Sequence, residues 1–287
     1  GTVESTTSQA TVGVSNVNDL PSGKAVIIGR LVQGQTLVIS DNLVDLDGIG
    51  SLQYQWKENG ELLDGANSKY YTLSQKDVGK VLSAVVSYVD GFNVNETVTV
   101  KPSAVVKNIN DAPSGQVTIS GELTQGQTLT ASNTLSDLDG MGTVSYQWFA
   151  SNTPLDSATS DQLILTQDQV GKSIKVVATY TDAYNTLEQV SSLATLGIKN
   201  TNDSPTGSIS LDGDTIQGMT LSVTNELADP DGLGKFNYQW LADNVAMTSA
   251  NVDHLMLTQS EVGKKISVVV SYLDGGGTCL LYTSDAA

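Results

Sequence analysis

A repeat of 92 residues constrains this chain more than any other feature, because it runs through the sequence without insertion. Asn18-Asp19-Leu20-Pro21 returns as Asn110-Asp111-Ala112-Pro113 and again as Asn202-Asp203-Ser204-Pro205. Gly34, Gly126 and Gly218 keep the same spacing, as do Trp56, Trp148 and Trp240, then Gly79, Gly171 and Gly263, then Tyr88, Tyr180 and Tyr272. A copy of this length is a small domain with its own core. The register divides the chain into repeat one (16–107), repeat two (108–199) and repeat three (200–277). Glu4 stands 92 residues before Glu96, so residues 1–15 are expected to be the last strand of a preceding repeat. At the other end Cys279, Leu280 and Leu281 stand where repeat two has Leu187, Glu188 and Gln189. Residues 278–287 therefore read as a non-repeat tail of artefactual character, which leaves repeat three without its last strand and as the least stable copy.

Within each copy the pattern is all-β. In Lys172–Tyr180 the two-residue period of a strand places Ile174, Val176, Ala178 and Tyr180 on one face, and Ile266, Val268, Val270 and Tyr272 repeat it. Repeat one offers further strands at 25–28, 36–40, 52–57, 70–73 and 97–106, each bounded by Gly, Asn, Asp or Ser. No segment sustains a helical period. About seven short strands per copy with a tryptophan on the third predict an immunoglobulin-like, or cadherin-like, Greek-key β-sandwich, repeated in a linear array. The tryptophans are expected in the core. Val78-Gly79 and its equivalents are expected in a tight turn that needs glycine's backbone freedom.

Each tryptophan strand is preceded by an acidic turn: Asp45-Leu46-Asp47-Gly48, Asp137-Leu138-Asp139-Gly140 and Asp229-Pro230-Asp231-Gly232. In the expected topology the turn between strands B and C, the turn between F and G with Asp90, Asp182 or Asp274, and the entering linker meet at one end of the sandwich. Repeat one would thus gather Asn18, Asp19, Asp45, Asp47 and Asp90, with Glu96 as a further candidate and Asn16 able to add an amide oxygen. Repeat two would gather Asn110, Asp111, Asp137, Asp139, Asp182 and Glu188; repeat three, Asn202, Asp203, Asp229, Asp231 and Asp274. Crowded carboxylates resist ionisation unless a cation holds them, and six to eight hard oxygen ligands in flexible geometry suit Ca2+ better than magnesium or zinc. The spacing is not that of an EF-hand, since Ile49 and Trp56 fall where that loop needs ligands. Asp-Gly is also a favoured turn dipeptide, so plain turn chemistry is the competing reading.

Composition narrows the function classes. With 31 acidic against 14 basic residues and a formal net charge of −17, nucleic acid and anionic lipid are poor partners and cations good ones. Cys279 is the sole cysteine, so neither a disulfide framework nor a thiolate zinc site is available. No apolar run is long enough to cross a bilayer. His254 is expected at the surface. A single histidine and a site copied in every repeat argue against a catalytic centre, and an enzyme is not expected.

The Asn-x-Asn-Asp-x-Pro linker, the Asp-x-Asp-Gly turn, the Tyr-Gln-Trp strand and the Val-Gly-Lys and Tyr-x-Asp signals, taken together, resemble the tandem immunoglobulin-like or cadherin-like repeats of large bacterial RTX-type adhesins. The resemblance spans residues 1 to about 277. It implies an extender region on the bacterial cell surface, exported by a type I route, in which calcium stiffens the junctions between neighbouring repeats of the same chain. Such a spacer would serve cell adhesion or biofilm formation, and surface glycan or protein would be reached through domains outside this sequence. The glycine-rich nonapeptides that give RTX proteins their name are absent. The alternative is that the repeats themselves bind glycan or protein ligands, through the loops after tryptophan where the copies differ most.

Overall fold

The structure is a computed structural model that describes residues 1–284. It is all-β: three β-sandwiches, each of a three-stranded and a four-stranded antiparallel sheet, with single 3-10 turns and no α-helix among the described residues. The first comprises β1 (Ala25–Ile28), β2 (Thr36–Asp41), β3 (Gln53–Glu58), β4 (Glu61–Leu62), β5 (Tyr70–Thr72), β6 (Leu82–Val89) and β7 (Asn95–Val100), ordered β1-β2-β5 and β4-β3-β6-β7. The second repeats both orders with β8 (Val117–Ser120), β9 (Thr128–Asn133), β10 (Ser145–Ala150), β11 (Thr153–Pro154), β12 (Gln162–Ile164), β13 (Ile174–Thr181) and β14 (Leu187–Ser191). The third does so with β15 (Ile209–Asp212), β16 (Thr220–Asn225), β17 (Asn237–Ala242), β18 (Val245–Ala246), β19 (His254–Met256), β20 (Ile266–Leu273) and β21 (Cys279–Thr283). His254 is exposed on β19. By internal contacts the described residues form two compact units, one of residues 1–113 with 136–142 and 181–187, the other of 114–135, 143–180 and 188–284.

Alternation builds each core. On β6 the inward residues Leu82, Ala84, Val86 and Tyr88 are buried, opposite Leu37 and Ile39 of β2 and against Trp56 of β3. Trp148 and Trp240 hold the same place. Each indole is fully buried and donates Nε1–H to a backbone carbonyl, of Ser68, Ser160 or Val252, at 2.8 Å, which removes the cost of desolvating its one polar atom. The preceding glutamine explains the Tyr-Gln-Trp motif. Gln55 Nε2 donates to the carbonyls of Trp56 and Leu63, and Gln147 and Gln239 do likewise, tying each tryptophan strand to the short hairpin that follows it.

Two expectations are corrected. The strand expected at 97–106 ends at Val100, because Pro102 cannot donate to a ladder; the chain then resumes bridging at Val105–Lys107. Residues 1–20 carry no secondary structure. Repeat three does possess a last strand. Cys279–Thr283 pairs with β20, Leu280 opposite Tyr272 and Tyr282 opposite Val270, and Ser284 accepts and donates backbone bonds with Val268 as Ser192 does with Val176. Pairing is a backbone property and the alternation of Leu280 and Tyr282 satisfies it, so the change of side chains did not shift the register. The remaining tail residues, 285–287, lie outside the described residues.

Candidate metal site at the acidic turn

The turn after β2 uses its acids first on its own backbone. Asp45 Oδ1 accepts from the Asp47 amide at 2.9 Å, and its Oδ2 accepts from the Tyr88 hydroxyl at 2.5 Å. Asp137 and Asp229 bind the Asp139 and Asp231 amides in the same way, and Tyr272 donates to Asp229 at 2.6 Å. Burial, then the hydrogen bond and charge of Asp45, push the Tyr88 hydroxyl well above the ordinary tyrosine range; burial and Asp229 do the same to Tyr272. Glycines let the two loops close. A Cβ on Gly50 would lie 2.3 Å from the Val89 carbonyl oxygen, and one on Gly91 would lie 2.5 Å from that of Asp47.

The second acid of the turn holds the entering linker. Asp47 Oδ2 accepts from the Asp19 amide at 2.7 Å, and Asp139 and Asp231 accept from Asp111 and Asp203 at 2.6 Å. The acids of the second turn spend one oxygen locally. Asp90 Oδ1 accepts from Phe92 and Val94, and Asp182 Oδ1 from Tyr184 and Thr186, while Asp274 Oδ1 accepts from Thr278. The other oxygen, Oδ2, of Asp90, Asp182 and Asp274 is buried with no hydrogen-bond partner in all three copies. Asp231 Oδ1 and Asn108 Oδ1 are orphaned in the same way. Buried unpartnered acceptors are uncommon, and those of Asp90, Asp182 and Asp274 recur at one structural position.

The glutamates differ between copies. Glu96 is buried and accepts from Asn18 Nδ2 at 2.8 Å, Glu188 is half-buried, and Leu280 takes that position in the third sandwich. Asn202 instead bonds its neighbour's carbonyl, at Asp203, and Asn110 is exposed in its linker. Among the described residues no group of three or more acidic, histidine or cysteine side chains is arranged as a metal cage. Asp45, Asp47 and Asp90 thus each commit an oxygen to a backbone amide, and Asp45 its other oxygen to Tyr88.

Two periodic glutamines contribute here that the sequence reading missed. Gln33 Nε2 donates to Asp111 Oδ2 at 2.6 Å while its Oε1 accepts from the Ile109 amide, and Gln125 repeats both bonds with Asp203 and Thr201. Gln75 Nε2 donates to Asp139 Oδ1 at 2.8 Å, and the Oε1 of Gln75 and of Gln167 is buried without a partner. Their 92-residue spacing was the available signal.

No protein-family model and no curated protein matches the sequence. Among solved structures, the chain is similar to one concerned with host cell surface retention of a 1.5-MDa bacterial ice-binding adhesin (13% identity, 93% of this chain and 97% of that one, TM-score 0.31). It is similar to a Ca2+-stabilized adhesin that helps an Antarctic bacterium reach out and bind ice (13% identity, 93% and 73%, TM-score 0.32). It is also similar to a tetra-tandem repeat in the extending region of a large adhesion protein (17% identity, 93% and 75%, TM-score 0.34).

Proposed function

We propose that this chain is a calcium-rigidified extender of a large bacterial surface adhesin, a spacer that carries other domains away from the cell and serves adhesion or biofilm formation. One observation carries the calcium reading: the same buried carboxylate oxygen, on Asp90, Asp182 and Asp274, is without a partner in every copy. A hard cation is the partner that suits a buried anionic oxygen beside further carboxylates, and the donor set is oxygen throughout. Asp47, Asp90 and Glu96 would hold the ion in repeat one, with Asn18 and Asp19 of the linker and Asp45 behind them. Asp139, Asp182 and Glu188 would do so in repeat two, with Asn110, Asp111 and Asp137. Asp231 and Asp274 would do so in repeat three, with Asn202, Asp203 and Asp229 and without the glutamate. The bound ion would supply charge neutralisation; the chain's own residues supply the connection, since Asp47, Asp139 and Asp231 each hold the linker amide directly.

The role is architectural rather than catalytic, and its location extracellular. The motif set that resembles RTX-type adhesin repeats supports this, as does a strict tandem repeat, which builds length rather than a single centre. No helix among the described residues is long and apolar enough to cross a membrane. Extracellular modules bind calcium at about 10⁻⁴ to 10⁻³ M, and at 100 times the dissociation constant each site adds about 2.7 kcal/mol. Thermal melting with calcium and with a chelator tests the reading. A midpoint raised by calcium and not by magnesium is expected, and one that calcium leaves unchanged overturns it.

A further inference from the structure

Among the described residues, seven buried side-chain atoms lack a hydrogen-bond partner, and all seven are oxygens. One belongs to Asp90, and the other six fall into two sets of three. The first set is Gln75 Oε1, Asn108 Oδ1 and Asp182 Oδ2; the second is Gln167 Oε1, Asp231 Oδ1 and Asp274 Oδ2. Asp182, Asp231 and Asp274 are only 5%, 8% and 6% exposed, so bulk water does not serve them. A single trapped water can donate to two of three oxygens and leaves the third bare, whereas a cation can meet all three.

Each set is gathered by short bonds around one acidic turn. Gln75 begins the 3-10 turn Gln75–Asp77 of the first sandwich and reaches Asp139 Oδ1 through Nε2 at 2.8 Å. With its other oxygen Asp139 holds the Asp111 amide, three residues beyond Asn108. The Asp139 carbonyl accepts from the Ala183 amide, next to Asp182, at 3.2 Å. In the second set the Asp231 carbonyl accepts from the Gly275 amide, next to Asp274, at 2.9 Å. Asn200, in register with Asn108, lies against the same loop: a Cβ on Gly276 would be 2.9 Å from Asn200 Nδ2 and 3.3 Å from Asp274 Oδ1. Gln167, which begins the turn Gln167–Gln169, stands 92 residues after Gln75.

We propose that Gln75 and Gln167 are calcium ligands through Oε1, each contributed by the repeat that precedes the acidic turn it serves, so that the ion at that turn is shared by two repeats. This rests on the calcium reading and adds a neutral ligand from outside the repeat that carries the acids. Calcium accepts amide oxygens among carboxylates and tolerates irregular geometry, which suits a mixed set of this kind. Gln75 serves both sides of the contact at once. Its Nε2 stays on Asp139 while its Oε1 takes the ion, and a cation on the oxygen polarises the amide and makes the N–H a stronger donor. A glutamate could ligate the ion but could not donate to Asp139, which accounts for an amide at this position.

Calcium titration of the full chain, followed by two-dimensional proton–nitrogen NMR, tests it. The backbone amides of Asp111 and Asp203, bonded to Asp139 and Asp231, report the two turns separately. In wild type the side-chain NH2 resonances of Gln75 and Gln167 are expected to move together with these reporters. Gln75→Leu is expected to weaken the titration seen at Asp111 roughly tenfold and to leave that at Asp203 as in wild type. Gln75→Glu, which restores an oxygen and adds a charge, is expected to tighten it. A wild type in which neither Asp111 nor Asp203 responds to calcium overturns the calcium reading and this inference with it. Reporters that respond while both glutamine NH2 groups stay unmoved overturn the ligand assignment alone. So does a Gln75→Leu variant that titrates at Asp111 as wild type does.

Discussion

Asp139 is the residue whose loss tests most directly whether the acidic turn holds the linker. It is buried, and its two oxygens are divided between the Asp111 amide at 2.6 Å and Gln75 Nε2 at 2.8 Å. Asp139→Ala removes both bonds. Hydrogen bonds to a charged acceptor contribute about 1.5 to 3 kcal/mol each, which sets an upper range of about 3 to 6 kcal/mol for the pair. Asp111 and Gln75 are only half-buried, so water recovers part of that when the carboxylate is gone; we expect about 2 to 4 kcal/mol. The loss is local, because the residues are tied to a turn and a linker rather than to the strands of a core. At about 1.4 kcal/mol per decade, exchange of the Asp111 amide should accelerate roughly 30- to 1000-fold in chelator. The Val176 amide, bonded to Ser192 Oγ within a sheet, serves as the internal control and should keep its protection. An Asp111 amide whose exchange changes less than about threefold would refute the reasoning, and equal acceleration at Val176 would show that the turn supports the whole sandwich instead.

Two further predictions concern the same region. Tyr88 has its hydroxyl held above the ordinary range by burial and Asp45, so its contribution is fully present below the unfolded tyrosine value of about 10 and is lost as pH rises toward the folded one. The melting midpoint should fall above about pH 10, and Tyr88→Phe should be less stable at neutral pH yet flatter over that alkaline window; parallel profiles would count against it. Gly50→Ala should cost about 1 to 3 kcal/mol in urea unfolding, because its Cβ would sit 2.3 Å from a carbonyl oxygen and the turn must move; a neutral substitution would show the turn to be looser than described.

The strands were legible because alternation records which face is buried, and the buried series Ile174, Val176, Ala178 and Tyr180 follows it without exception. The two-residue strands were not, although Asn59-Gly60 marks the first hairpin: both residues have positive φ, at 47° and 93°, which a tight hairpin turn requires. The role of Asp77 was also hidden. It and Glu261 are acids and Gln169 is neutral, yet each accepts from the backbone and hydroxyl of the Ser or Thr three residues earlier. Spacing shows that positions matter; it does not show that only the shared oxygen is used. The acidic turn follows the same logic. The period brought Asp45, Asp47 and Asp90 to one end of the sandwich, but a carboxylate has two oxygens, and residue names do not say which is already bonded to an amide.

That division of oxygens explains why glutamine rather than glutamate stands at positions 33 and 125. Each must donate to a carboxylate, of Asp111 or Asp203, while accepting from a backbone amide, and of the two side chains only the amide has both a donor and an acceptor. Gln33→Glu keeps the acceptor and replaces the donor with a second negative oxygen facing Asp111. Without a cation it forfeits a bond of about 1.5 to 3 kcal/mol and adds repulsion of about 1 kcal/mol for charges near 4 Å in a solvated setting. With calcium the same oxygen becomes a ligand and the repulsion an attraction. The variant should therefore melt below wild type in chelator and recover most of the difference in calcium, so that its calcium-induced shift exceeds that of wild type. A deficit of equal size in both conditions would mean that no cation comes near Asp111, and the junction would then be held by amide and carboxylate alone.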